Sequence, residues 1–373
     1  MQNPLWSETL LEEMRQVGDP QADAVVAAVI DRHDVERVNE MMASIVRNDE
    51  LVPADMPAIV RDYLDQPGWL PEWADRDLIR HGERFFNLHW PNIVTLLFCA
   101  SLPSAYAAHR GAQVLFLTKR MTGQVHRRIF ETAQFILDVM APGGLDPAGN
   151  GIRAAQKVRL LHASIRHLIL HKPRWRERWD PAWGLPINQT DMAGTLMTFS
   201  VQILLGMRRF RLPLEPADEE AYLHAWKVVG HMMGVRPELL PADVADAQKL
   251  AMAIFEREKG SSEAGTALTA ALLDFMQRQT PGRLYDGLPA AIIRQSIDSD
   301  VADLLGVPPA NWTRLLFDVE ESILRTADRF NLAHPRSRLL QRFSFGLVSE
   351  LVKIERGGNR SLFTIPATLR API

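Results

Sequence analysis

The stretch Lys157-Val158-Arg159-Leu160-Leu161-His162-Ala163-Ser164-Ile165-Arg166 decides how the rest of this 373-residue chain is organised. Successive residues of an α-helix are about 100° apart, so apolar residues recur along one face of this stretch. That face consists of Ala155, Val158, Leu161, Ile165 and Ile169. His162 falls within the face, and Arg159 and Arg166 lie at its border. The stretch therefore predicts a helix that turns one imidazole towards the core, with two guanidinium groups beside it.

The pattern leaves two interpretations of His162 open. In the first, His162 is a core histidine hydrogen-bonded to a carbonyl group, and the two arginines extend their head groups to solvent. In the second, it is a metal ligand, because neutral imidazole is a common metal donor and many proteins hold haem iron through a single histidine. Positive groups near the haem edge would then pair with the propionates.

A second helix, predicted over residues 121–140, carries polar side chains on its apolar face. The apolar residues of this face are Val125, Ile129, Ala133, Ile136 and Met140. Thr132 lies within the face and Arg128, one turn earlier, lies at its edge, so the two provide a pair of hydrogen-bond donors on one side. The alternative is an arginine held in a salt bridge and a threonine bonded back to its own helix.

These two helices together resemble the signature of the family of rubber oxygenases (latex clearing proteins) and MpaB-type oxygenases. The signature is Arg128-x-x-x-Thr132, followed on the next helix by Lys157-Val158-Arg159-Leu160-Leu161-His162-Ala163-x-x-Arg166. Further motifs agree in order: Gly18-Asp19-Pro20-Gln21-Ala22-Asp23, Ser101-Leu102-Pro103-Ser104-Ala105-Tyr106, Gly184-Leu185-Pro186-Ile187-Asn188-Gln189, His224-Ala225-Trp226 and Gly234-Val235. The resemblance covers roughly residues 10–280.

The resemblance implies an all-α, globin-like fold that holds one b-type haem through a single histidine. His162 would be the iron ligand, and Arg159 and Arg166 would bind the haem propionates or fix the haem edge. Arg128 and Thr132 would be the catalytic residues, on the side of the substrate or oxygen. The partners implied are O2 and an apolar small molecule, such as an isoprenoid or another alkene.

The chain departs from the rubber-cleaving members in two places. Those members carry a lysine directly before the pocket threonine, able to reach the iron in a closed state, and this chain has Glu131 there. An acidic residue proposed as a base in those enzymes has no clear match around Gly111-Ala112-Gln113. We therefore expect an iron without an amine ligand, and weak or absent cleavage of polyisoprene.

Composition excludes several other classes of protein. With 47% hydrophobic and 23% charged residues the chain is typical of soluble globular proteins, and a net charge of −3 gives no general attraction to nucleic acid. Its one cysteine, Cys99, excludes an intramolecular disulfide and any multi-cysteine metal centre. The first residues lack the basic and apolar regions of an export signal, so we expect a cytoplasmic protein.

The most apolar run, residues 92–108, raises the question of a membrane span. Within this run only about ten uninterrupted apolar or hydroxyl residues precede Pro103, fewer than the ~20 that cross a bilayer. The run therefore predicts a buried core helix that ends near Pro103 and lines a hydrophobic pocket beside the Arg128 helix. No transmembrane segment is expected.

The periodicity is helical throughout, without sustained alternation of period two or a Gly-rich phosphate loop. It predicts a single all-α domain over residues 1–373, with a motif core at about 78–280 and helical extensions at both ends. Three functions remain open: a haem b oxygenase, a non-catalytic haem protein such as a sensor or carrier, and a helical scaffold without metal.

Overall fold

The computed structural model describes residues 6–122, 125–279, 287–309 and 365, and of residues 119–122, 125–130 and 279 it describes only the backbone. Within these ranges every regular element is helical, and the β-type pairing consists of one isolated bridge between Ala108 and Lys259. The prediction of an all-α fold is confirmed.

The helices of the described ranges follow one another closely along the chain. In order they are α1 (Glu8–Met14), α2 (Pro20–Asp31), α3 (Val35–Ser44), α4 (Ala58–Asp65), α5 (Arg76–Leu96), α6 (Leu102–Ala107), α7 (Ala112–Thr122), α8 (Val125–Met140), α9 (Gly151–His171), α10 (Pro173–Arg176), α11 (Gln189–Phe199), α12 (Val201–Arg209), α13 (Pro216–Met232), α14 (Val244–Glu258), α15 (Glu263–Gln279), α16 (Leu288–Ser296) and α17 (Ser299–Leu304). A π-helical turn, Leu97–Ser101, joins α5 to α6, and 3-10 turns lie at Pro181–Trp183 and Pro237–Leu239.

Two long helices, α5 and α9, lie at the centre of this packing. Helix α5 packs along α13 and also contacts α8 and α12, while α9 packs against α2, α8 and α13. Gly82 lets α5 approach α13 closely, since a Cβ at this position would lie 2.6 Å from the carbonyl oxygen of Ala221. The helices predicted to carry Thr132 and His162, α8 and α9, are therefore direct neighbours in the core.

The first turn of α9 is capped by a residue distant in sequence. The backbone N–H groups of Ile152 and Arg153 donate to Oδ1 of Asn48, at 3.0 and 3.2 Å. The Nδ2 group of Asn48 donates to the carbonyl oxygens of Gly144 and Asp146, at 3.0 and 2.6 Å. One side chain thus satisfies free donors at the start of α9 and holds the connection between α8 and α9.

The prediction that the apolar helix ends near Pro103 is wrong. The helical segment begins at Arg76, passes through the π-turn and continues to Ala107. A proline inside an α-helix clashes with the carbonyl group four residues earlier, here that of Cys99. The wider π-turn precedes Pro103, with the Leu102 N–H bonded to the Leu97 carbonyl, so the helix accommodates the proline and does not stop.

The segment Arg76–Ala107 is long and apolar enough, by length and composition, to cross a membrane. The protein itself buries 67% of its most apolar window, as expected for a core helix. The predicted core position of this run therefore agrees with its packing. The prediction of one domain over residues 1–373 stays a prediction, since residues 310–364 lie outside the described residues.

Candidate active site

An apolar cavity lies between α5, α8, the π-turn and the end of α11. It contains about 380 Å³ of empty space, including solvent at its mouth. Its lining consists of Trp90, Val94, Leu97, Phe98, Leu102, Thr132, Ala133, Ile136 and Phe199. Among the described side chains of this lining, Thr132 contributes the one hydroxyl group, and the rest are hydrocarbon apart from the indole N–H of Trp90. The prediction that the apolar run lines a pocket beside the Arg128 helix is confirmed.

His162 lies on the helix next to the cavity. Its side chain is half-buried, and its Nδ1 atom is buried. It is not among the cavity-lining residues, whereas Thr132 is. Since α8 packs against α9, the structure brings the two residues onto neighbouring helices without placing both side chains in this cavity.

Arg159, one turn before His162, is bound to the start of α2. Its Nε donates to Oδ2 of Asp19 at 2.6 Å and its Nη2 to Oδ1 at 2.9 Å. Burial lowers the pKa of Arg159, but hydrogen bonding and the charge of Asp19 outweigh burial and raise it. A Cβ on Gly234, whose φ is +83°, would lie 2.7 Å from the Arg159 Nε, so only glycine leaves room for the pair.

Arg166, one turn after His162, has a different set of partners. Its Nε donates to Asp23 at 2.8 Å and its Nη1 to the Ile187 carbonyl oxygen at 2.8 Å. Burial raises the pKa of the Asp23 carboxyl against the lowering effect of Arg166. The Nη2 atom of Arg166 is buried and has no hydrogen-bond partner within the described part of the chain. Arg166 therefore keeps its Nη2 amino group available for an anion, while the nitrogen atoms of Arg159 all have partners.

Gln189 connects the segments that surround these arginines. Its Nε2 donates to the carbonyl oxygens of Gly18 and Gly234, at 3.0 and 2.9 Å, and its Oε1 accepts from the Arg236 N–H at 2.9 Å. We call Asp19, Asp23, Arg159, Arg166 and Gln189 the α9 clamp. Several motifs that were distant in the sequence thus meet at one helix.

A second buried charge cluster holds α1, α11 and α14 together. Arg15, fully buried, places its Nη1 3.0 Å from Asp191 and 3.1 Å from Glu258. Arg110 adds two hydrogen bonds to Glu258, at 3.1 and 2.7 Å. Burial raises the pKa of Asp191 to about 6, against the lowering effect of Arg15. Sequence periodicity gave no sign of this cluster, because its members lie on separate helices.

The remaining predicted residues have different outcomes. Arg128 belongs to α8, but its side chain lies outside the described residues, so its catalytic role stays a prediction. Within the described ranges, no three His, Cys, Asp or Glu side chains come together as a metal-ligand set. A haem iron held by one histidine needs no such set.

Comparisons with known proteins agree with the pattern of motifs. The family model described as "ER-bound oxygenase mpaB/B'/Rubber oxygenase, catalytic domain" matches residues 92–325. The chain is 31% identical over 296 residues to the rubber oxygenase of Streptomyces sp. (strain K30), a match that covers 78% of this chain and 71% of the relative.

The fold is similar to a solved structure, that of latex clearing protein in the closed state. The TM-score is 0.75 and the sequence identity 27%, over 89% of this chain and 91% of that one. The family match includes the end of α5, the π-turn and both helices of the signature. The chain therefore belongs to the MpaB and rubber oxygenase family, and it is an oxygenase.

Proposed function

We propose that this protein is a haem b-dependent oxygenase that uses O2 to oxidise an apolar alkene, such as an isoprenoid. The observation that carries the proposal is the apolar cavity with the single hydroxyl of Thr132, on the helix packed against that of His162. Such a lining binds hydrocarbon, because burial of apolar surface contributes about 25 cal/mol per Å².

The residues present fit a haem. His162 would be the iron ligand, and Arg166, four residues later on the same face of α9, has a buried Nη2 suited to a propionate oxygen. Haem, when bound, supplies the oxygen chemistry. Arg159 is proposed to act at the haem edge mainly by holding α9 in place, because its nitrogen atoms are engaged with Asp19 and other partners.

Residues of the chain position the substrate. The cavity excludes water from an alkene, and the Thr132 hydroxyl provides a hydrogen-bond donor at its wall. Arg128, one helical turn away on α8, is proposed to support this side of the site. Glu131 offers no amine at the position where rubber-cleaving members have a lysine.

A visible spectrum of the purified protein tests the cofactor. We expect a Soret band with one haem per chain, and its loss or severe weakening in His162→Ala. The matched control is His167→Ala, a half-buried histidine of the same helix, which should keep the band. A His162→Ala protein with full haem and an unchanged spectrum would overturn the assignment.

Oxygen uptake tests the reaction. We expect uptake with an alkene such as decene and none with decane, which has the same length and no double bond. A Soret band without alkene-dependent uptake would instead indicate a non-catalytic haem protein. A protein without a Soret band after haem addition would indicate a helical scaffold.

A further inference from the structure

Each aromatic ring that lines the cavity is backed by a second ring outside it. The three pairs, lining residue first, are Trp90 with Phe86, Phe98 with Phe275, and Phe199 with Trp226. Their ring centroids are 5.9, 5.7 and 5.5 Å apart, in that order. The backing rings are buried, with exposed fractions of 2, 3 and 1%. Because close-packed interiors resist compression, the backing rings limit how far the lining rings can withdraw.

The π-turn fixes another wall of the cavity. Leu97 and Leu102, joined by the π-type hydrogen bond, both line the cavity together with Phe98. The turn is anchored to α11 by Ser101, whose hydroxyl donates to the Thr198 carbonyl oxygen at 2.5 Å. A shift of this wall would strain or break that partly buried hydrogen bond.

The lining also restricts the chemistry of the ligand. Among the described side chains of the lining none is charged, so a carboxylate buried against them would lose its hydration without a compensating partner there. One hydroxyl group is enough to orient a neutral molecule but not to hold an ion. The cavity thus favours neutral hydrocarbons over fatty acids of the same length.

We propose that the cavity is a shape filter with walls held in place by packing, which admits open-chain hydrocarbons and rejects cyclic ones of the same composition. The backing rings Phe86, Phe275 and Trp226 act as positioning residues that hold these walls without touching the ligand. The claim that this filter selects the substrate of the oxygenase rests on the proposed function. Its binding selectivity can be measured without turnover.

Myrcene and limonene provide the matched ligands, because they are isomeric hydrocarbons, one open-chain and one containing a ring. Both are volatile, so their binding to the purified protein can be measured from the free concentration in the headspace by gas chromatography. We expect the wild-type protein to bind myrcene at least about tenfold more tightly than limonene, within the range for an apolar pocket that discriminates by shape.

Variants of the backing rings test the mechanism. Phe275→Leu and Trp226→Phe should lower the ratio of myrcene affinity to limonene affinity by about threefold or more. Limonene gains room in these variants, while myrcene loses little affinity. The matched control is Trp175→Phe, a buried ring of α10 that contacts Arg174 and Arg178 and does not line or back the cavity. The control should keep the wild-type ratio even where its thermal stability falls.

Each outcome has a defined meaning. Equal affinities in the wild-type protein, or an unchanged ratio in both backing variants, would overturn the filter. If neither backing variant folds, Phe98→Leu, which changes the lining directly, should lower the ratio, and an unchanged ratio would again overturn it. Selective binding without a Soret band would refute the proposed function alone, and alkene-dependent O2 uptake with equal affinities would refute the filter alone.

Discussion

The guanidinium group of Arg159 and the carboxylate of Asp19 form a two-point ion pair, with N···O distances of 2.6 and 2.9 Å. The side chains are 11 and 5% exposed, so the pair is almost entirely removed from water. Asp19 also caps α2, where its Oδ1 accepts the Ala22 N–H at 3.3 Å. One carboxylate therefore joins the start of α2 to the helix that carries His162.

Asp19→Ala should strongly destabilise the protein, because it leaves the buried Arg159 without its counter-charge. Removal of one member of a buried pair costs about 3–5 kcal/mol. Urea unfolding measures this loss as a lower midpoint. The control is Asp49→Ala, which removes the exposed partner of Arg47 and should leave the midpoint unchanged. An unchanged midpoint in Asp19→Ala would contradict a stabilising role of the α9 clamp.

Arg166→Met should weaken haem retention more than Arg159→Met does. A charge-assisted contact between Nη2 of Arg166 and a propionate is worth about 1.5–3 kcal/mol, or roughly tenfold to a hundredfold in affinity. Arg159→Met should act mainly on the free energy of unfolding. The rate of haem transfer to an excess of apomyoglobin compares haem retention in the wild-type protein and the two variants. Unaltered retention in both variants would count against a propionate role.

Thr132→Val should abolish alkene-dependent oxygen uptake while haem is retained, because it removes the hydroxyl of the cavity lining and keeps the side-chain volume. The matched control is Thr118→Val, a buried threonine of α7 bonded back to the Val114 carbonyl oxygen. Full activity in Thr132→Val, or lost activity in the control, would argue against a direct role.

Glu131 should leave the resting haem without an amine ligand and make polyisoprene a poor substrate. The visible spectrum of the resting protein should show an open or water-bound sixth position. Product analysis after incubation with latex should show weak or absent cleavage. A spectrum with an amine ligand would refute the first expectation, and abundant isoprenoid aldehydes would refute the second.

Asp191→Asn should change the pH dependence of stability in a defined direction. The pKa of Asp191 is raised to about 6 in the folded protein, above the unfolded value of about 3.9. The folded state therefore binds this proton more tightly, and stability falls as the pH rises from about 4 to 6. The free energy of unfolding of Asp191→Asn, relative to wild type, should rise over this range and level off above it. A difference that falls or stays constant would contradict the raised pKa.

Asn48→Ala should destabilise the protein by about 1–2 kcal/mol, the usual cost of losing a helix cap. Asn48→Asp keeps an oxygen for the N–H groups of α9 but loses both bonds donated to the connection between α8 and α9. Its unfolding midpoint should lie between those of Asn48→Ala and wild type. A midpoint at or below that of Asn48→Ala would show that the cap is not the main contribution.

Sequence periodicity predicted the helices and the faces of Thr132 and His162, because both depend on neighbouring residues of one helix. It did not predict that Asp19 and Asp23 would meet Arg159 and Arg166, since a helical repeat carries no information about partners 140 residues away. Pro103 was interpreted as a helix end, because sequence shows the clash but not its relief by a wider turn. The cytoplasmic location stays a prediction.

The clamp has a consequence for the order of folding. During synthesis Asp19, Asp23 and Asn48 leave the ribosome 104 to 143 residues before the partners that they bind on α9. The first helices must therefore wait until nearly half of the chain has been made. Closing such long loops is slow relative to forming a helix. If haem binds at His162 as proposed, it should not bind before α9 is complete, and chains stalled before residue 171 should not acquire it.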